Sequence, residues 1–174
     1  MTSKASALRL RELHRRPHTR ERGDPAHADF RISDWPFYLV AQAEGQYAMC
    51  MDKALRKMQL DLASWRALML LHEQNPSSVS EIAARAVMRL STMTRVVQRL
   101  EKRGMARLER RASDARVTEV FISDAGERAV TEIRKLASSI YAVAFRNVSS
   151  TEIATLNRIL GKVCANLQLL QPAR

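Results

Sequence analysis

Between Leu90 and Gly104 the chain sets Ser91, Thr92, Thr94, Arg95, Gln98, Arg99 and Lys102 among Met93, Val96, Val97 and Leu100. Read as a helix at about 100° per residue, the four apolar side chains fall within about 100° of arc, which makes a core face. Ser91, Arg95, Gln98 and Lys102 fall opposite, with Thr92, Thr94 and Arg99 on the flanks. The outward face thus begins in short hydroxyls, continues with Arg and Gln, and ends in cations. Hydroxyls and a helix N-terminus suit phosphate, while Arg and Gln can form bidentate bonds to base edges. Ser and Thr are poor choices for a helix face that meets only water, so a merely solvated surface is the weaker reading.

A second constellation follows. Asp114 and Arg116 are one residue apart, so in an extended tip their side chains can share one side. A carboxylate in that position fixes a guanidinium, and a narrow A·T-rich minor groove attracts such a cation. The alternative is a surface pair worth under about 1 kcal/mol. Arg110 and Arg111, just before the tip, are expected to be general phosphate contacts.

The charge distribution points the same way. Of a net charge of +11, residues 79–116 hold ten Lys/Arg against four Asp/Glu, and residues 1–30 hold seven against four. A basic block on one folded segment is the footprint of a polyanion partner. Residues 1–30 read as a flexible basic leader with few apolar residues. His14, His18 and His27 lie there, on a scaffold too loose to gather three or four metal ligands, and no metal or other cofactor is expected. No apolar run approaches the roughly 18 residues needed to cross a membrane. Two cysteines make no disulfide framework, and a cytoplasmic setting is expected. The chain lacks a Ser/His/Asp constellation and a phosphate-binding glycine loop, so an enzyme is a poor fit.

The elements that must position these groups can be read from caps and periods. Ser33-Asp34-Trp35-Pro36 starts a helix running to about Lys57, and Asp61 introduces a second, from Leu62 to about Gln74. Ser78 and Glu81 have capping-box spacing at the head of a short helix ending near Arg85. The helix of the first constellation spans Ser91 to about Arg103 and stops at Gly104. Met105–Arg111 and Val117–Ile122 form a β-hairpin around the charged tip. Ser123 caps a long helix, and Ser149 with Glu152 caps a last one, to about Leu169. Ile153, Leu156, Leu160, Val163, Leu167 and Leu170 recur at 3-4-3-4-3 spacing there, a heptad seam. Packing within the chain or against a second copy would both use it. The expected fold is mainly α with a small β-hairpin wing. It is a winged helix-turn-helix at residues 61–122, with helical dimerisation segments at 31–60 and 123–170.

The stretch WRALMLLHEQNPSSVSEIAARAVMRLSTMTRVVQRLEKRGMARLERRASDARVTEVFISDAGERAV resembles the core of the MarR (multiple antibiotic resistance regulator) family. The resemblance rests on WRAL, SVSEIA, STMTRVVQRLEKRGM, Asp114-x-Arg116 and the Ile122–Gly126 segment, and with the flanking helices it covers roughly residues 34–169. It implies a triangular homodimer, each subunit presenting one winged module to a pseudo-palindromic operator in double-stranded DNA. Half-sites about 10 bp apart would place two recognition helices in successive major grooves. Two features depart from the family pattern: Ala115 stands where Arg or Gly is common, and the basic leader is long.

The resemblance also implies a repressor released by a small-molecule effector, often an anionic aromatic one, bound beside the first two helices. Tyr38, Trp65, Arg66, Met69 and His72 are the candidates there. Guanidinium, imidazole and phenol over an apolar floor suit an aromatic carboxylate. Alternatively Arg66 pairs with Asp61 or Glu73, and His72 is a half-exposed helix residue. Two other functions fit the fold: a thiol redox sensor and an architectural, non-specific DNA binder. Cys50 lies well inside the first helix and is read as buried and inert, and Cys164 beside the seam as packing.

Overall fold

The computed structural model describes residues 21–170. The expectations for residues 1–20, His14 and His18 among them, lie outside the described residues. Two compact units divide between Leu62 and Ala63.

In the first unit, 3-10 turns at Glu21–Gly23 and Ile32–Asp34 precede α1 (Pro36–Leu55). Trp35 is its N-cap and Pro36 takes the first helical position, where its missing N–H costs nothing. Ser33 and Asp34, read as the cap, instead belong to the preceding turn. Only Met51 and Leu55 of α1 are buried, while Phe37, Leu39, Val40, Tyr47 and Met49 are exposed. Cys50 is exposed too, as is Cys164 further on, which corrects the expectation that both are packed. A helix that buries two residues near its end leaves the rest of its circumference open.

The second unit takes in α2 (Leu62–Glu73) from Ala63 onward, and Trp65, Ala67, Leu68 and Leu71 of that helix are buried. Then follow β1 (Ser77–Ser78), α3 (Val79–Arg85), α4 (Leu90–Lys102), β2 (Ala106–Arg111), β3 (Asp114–Ile122), α5 (Asp124–Ala144) and α6 (Ser150–Gln168). The capping box at α3 is formed: Ser78 Oγ accepts from the Glu81 amide at 3.2 Å, and Glu81 Oε2 accepts from the Ser78 amide at 2.7 Å. That second bond, then the Ser78 hydroxyl, holds the Glu81 carboxyl below its ordinary range. The wing is a three-stranded antiparallel sheet in the order β1-β3-β2, not a hairpin alone. The extra strand pairs Ser77 with Val120 and Ser78 with Glu119.

α3 packs on α4 and β3, and α4 on β2. The core is made of Leu68, Leu71, Ile82, Met93, Val96, Val97, Leu100 and Val120, joined by Val130 and Ile133 from the first half of α5. The junction into α5 explains the Ile122–Gly126 segment. Ser123 Oγ donates to the Gly104 carbonyl at 2.6 Å and accepts from the Gly126 amide at 3.2 Å. A Cβ at Gly126 would run into the Met105 carbonyl, so only glycine lets α5 approach the start of the wing so closely. α6 is capped by the Ser149–Glu152 box, yet no residue of it is buried. Among the described residues, no helix is long and apolar enough to cross a membrane.

Candidate nucleic-acid interface

α4 divides as its sequence predicts. Met93, Val96, Val97 and Leu100 are buried, while Ser91, Thr92, Arg95, Gln98, Arg99 and Lys102 are exposed. The helix begins one residue earlier than read, at Leu90, with Arg89 as N-cap and no side chain closing the first turn. The Thr92 and Met93 amides already donate to the Arg89 carbonyl, each at 3.0 Å, so the Leu90 and Ser91 amides lead the helix, where the dipole favours an anion. Thr94 is half-buried, and its hydroxyl donates to the Leu90 carbonyl at 2.9 Å. That proton is the one a phosphate oxygen would need, so Thr94 must turn before it can grip the backbone.

The wing tip is built as the Asp-x-Arg spacing implies. Arg116 donates to Asp114 three times: Nε to Oδ1 at 3.0 Å, Nη2 to Oδ2 at 3.2 Å, and the amide to Oδ1 at 3.1 Å. The first two hold the carboxylate bidentately, and the side-chain bond followed by the backbone one pulls the Asp114 carboxyl below its ordinary range. The Arg116 side chain is nonetheless 91% exposed, so a cation is held in place at an open tip.

Its two neighbours differ. Arg110 is exposed, and its Nη1 donates to the Ala115 carbonyl at 3.4 Å. Arg111 is bound to Glu119 at 2.9 Å, which raises its pKa further and leaves less of its charge for a phosphate. The ladder slips between Arg110 and Arg111, which turns the two side chains to different surroundings. On the same sheet Arg107 lies over the Phe121 ring at 4.7 Å and pairs with Glu109. Arg89, the exposed cation at the mouth of α4, belongs to this surface and was absent from the sequence reading of it. A cation where a helix normally wants Ser, Thr, Asp or Asn was the signal that could have found it.

The effector candidates sit as follows. On α2, Trp65 is buried and Arg66 and Met69 are half-buried. His72 Nδ1 lies 2.7 Å from Glu127 Oε2, in the first turn of α5. Glu73 is paired with Arg85, at 2.6 Å. Tyr38 stands on α1 in the other unit, its hydroxyl accepting from Gln42 Nε2 at 2.8 Å. Among the described residues no cluster of His, Cys, Asp and Glu is grouped to hold a metal ion.

Comparison with known proteins bears on this surface. The family model described as MarR matches residues 60–118. The HTH-type transcriptional repressor IacR of Pseudomonas putida is 35% identical over 147 residues, 84% of this chain and 88% of that protein. The crystal structure of a probable transcriptional regulator from Pseudomonas aeruginosa superposes with a TM-score of 0.68 at 27% identity, covering 76% of this chain and 99% of that one. A Bordetella bronchiseptica protein, BpsR, whose DNA binding is regulated by 6-hydroxynicotinic acid, shares the fold with a TM-score of 0.70 at 19% identity, covering 78% of this chain and 96% of its own.

Proposed function

The chain belongs to the MarR family of DNA-binding transcriptional regulators, and from that premise we propose that it is a homodimeric repressor released from a pseudo-palindromic operator by an aromatic carboxylate. The observation that carries the reading is the division of α4: four apolar residues spent on the core, and hydroxyls, Arg95, Gln98 and Arg99 left facing outward. Ser91 and Thr92 position the helix on phosphates, and Arg95 and Gln98 read base edges. Arg116, held by Asp114, enters the minor groove, with Arg110 on the adjoining backbone. The apolar seam of α6, no residue of which is buried, joins the two copies. The repressor name of the relative from P. putida supports the direction of regulation.

For the effector we place Trp65, Arg66, Met69 and His72 of α2 around an aromatic acid. BpsR responds to such an acid, 6-hydroxynicotinic acid, which supports the class. His72 already faces the Glu127 carboxylate, so a ligand carboxylate has to displace that contact to reach the imidazole. Release follows only if the ligand binds the non-operator arrangement of the modules more tightly. Calorimetric titration of aromatic acids against wild type and Arg66→Ala tests the site. A carboxylate that binds wild type and loses affinity in the variant is the expected result. Unchanged affinity makes Arg66 structural and removes it from the site.

A further inference from the structure

The turn into α4 keeps two apolar side chains for which the fold offers no use. α3 ends in a Schellman pattern, the Met88 amide donating to Ala83 at 2.9 Å and the Val87 amide to Ala84 at 3.1 Å. The left-handed residue of that pattern is Val87, at φ 54°. Glycine is the usual occupant, because a Cβ crowds the neighbouring carbonyl and a β-branched one crowds it most. Val87 recovers nothing by packing, since it is 90% exposed. Three residues on, Leu90 opens α4 and is 55% exposed, whereas Met93, Val96, Val97 and Leu100 of the same helix are buried. Strain kept together with open apolar surface points to function rather than stability.

We infer that Leu90, assisted by Val87, reads a thymine in each operator half-site through its C5-methyl group. This rests on α4 being the DNA-reading helix. Leu90, Thr94 and Gln98 follow one another at i, i+4 and i+8, advancing about 40° each time, so Leu90 starts the edge of the outward face that Gln98 continues. Residues of the first turn of such a helix reach base edges in the major groove. An isobutyl group forms no hydrogen bond, and the apolar feature of the major-groove edges is the thymine methyl. The nearest neighbours in sequence fit that setting: Arg89 is an exposed cation and Ser91 and Thr92 are exposed hydroxyls, matched to phosphates rather than to an apolar protein patch.

The experiment selects bound sequences from a random duplex pool with the full-length protein, then replaces each thymine of the selected half-site by deoxyuridine. Wild type is expected to lose about four-fold in affinity at one thymine per half-site, the worth of one buried methyl. Leu90→Ala should show no penalty there and keep the penalties found elsewhere, while Arg95→Ala keeps that thymine's penalty. Val87→Gly should raise the melting temperature and weaken operator binding, opposite signs that a structural role alone does not produce. A deoxyuridine penalty that persists undiminished in Leu90→Ala overturns the inference, and unchanged binding by Val87→Gly removes Val87 from it. If wild type selects a sequence without any deoxyuridine penalty, α4 remains the reading helix and the thymine contact is wrong. If wild type selects no sequence, the reading of α4 fails and this inference with it.

Discussion

α4 and α6 carry the same kind of apolar repeat and end in opposite conditions. On α4, Met93, Val96, Val97 and Leu100 are at most 1% exposed, packed against α3 and the wing. On α6, Ile153, Leu156, Leu160, Val163 and Leu167 recur with heptad spacing, yet none is buried and Leu156 is 42% exposed. One helix spends its apolar face within the chain and can offer its polar face to a partner. The other has no seam residue buried by any of the described residues. Periodicity therefore says that a face will be buried, and the surrounding elements decide by what. For a 19-residue helix with an unburied heptad seam, the proposed cover is a second copy of the chain.

The largest effects should separate the two helices by kind. Leu100→Ala removes a fully buried side chain and should cost about 2–5 kcal/mol in urea unfolding without changing the mass seen by sedimentation. Leu156→Asp should do the reverse. The fold survives, the sedimenting species halves in mass, and operator binding falls to that of one module at micromolar protein. A Leu156→Asp protein that stays dimeric breaks the comparison, because the seam would then be surface.

A smaller effect sharpens what the polar face of α4 is for. Arg95→Ala should cost about 1–3 kcal/mol on a selected operator and clearly less on random duplex. Losses of equal size on both, read by fluorescence anisotropy at fixed salt, would make Arg95 a phosphate contact and leave Gln98 as the reader.

Legibility followed the length of the signal. α4 spans three turns with its apolar residues on one face, and its inside and outside were readable residue by residue, with only the start displaced from Ser91 to Leu90. The capping boxes at Ser78 and Ser149 were readable because each needs just two residues at fixed spacing. β1 was not, since two serines carry no period and become a strand only by pairing with β3. Cys50 was misjudged because position within a helix does not determine which side closes. The Arg111–Glu119 pair depends on the register shift within the hairpin, and the His72–Glu127 pair, 55 positions apart, on the packing of α2 against α5. Val87 was visible as a β-branched residue after a short helix, but only its φ shows that a glycine position is occupied.

The two capping boxes extend the contrast on a smaller scale. Ser78→Ala removes a part-buried cap beside the core and should lower stability by about 1 kcal/mol. Ser149→Ala removes an exposed cap at the head of α6 and should cost less in thermal unfolding, because water can take its place. A larger loss from Ser149 than from Ser78 would mean that α6 forms part of the cooperative unit more firmly than its burial implies.

The smallest effect concerns the wing tip, which lies in the packed module but is as open as α6. Arg116 holds the Asp114 carboxyl below its ordinary range, chiefly through its side chain and then through its amide. For a carboxyl whose folded pKa is depressed, the stabilisation is present above the ordinary aspartate pKa and is lost as pH falls through the lowered one. At neutral pH the pair is therefore complete, the guanidinium is fixed, and wing-dependent DNA protection should not vary with pH. Below the ordinary aspartate range the carboxyl takes a proton and the tip is released, with little change in global stability because the pair is solvent-exposed. Following the Asp114 side-chain carbon by NMR through an acid titration tests this. Arg116→Ala should move the midpoint up toward the ordinary aspartate value and weaken the flanking minor-groove footprint at neutral pH. A raised midpoint with an unchanged footprint would leave the pair real but idle, and would assign the groove-reaching role to Arg110 instead.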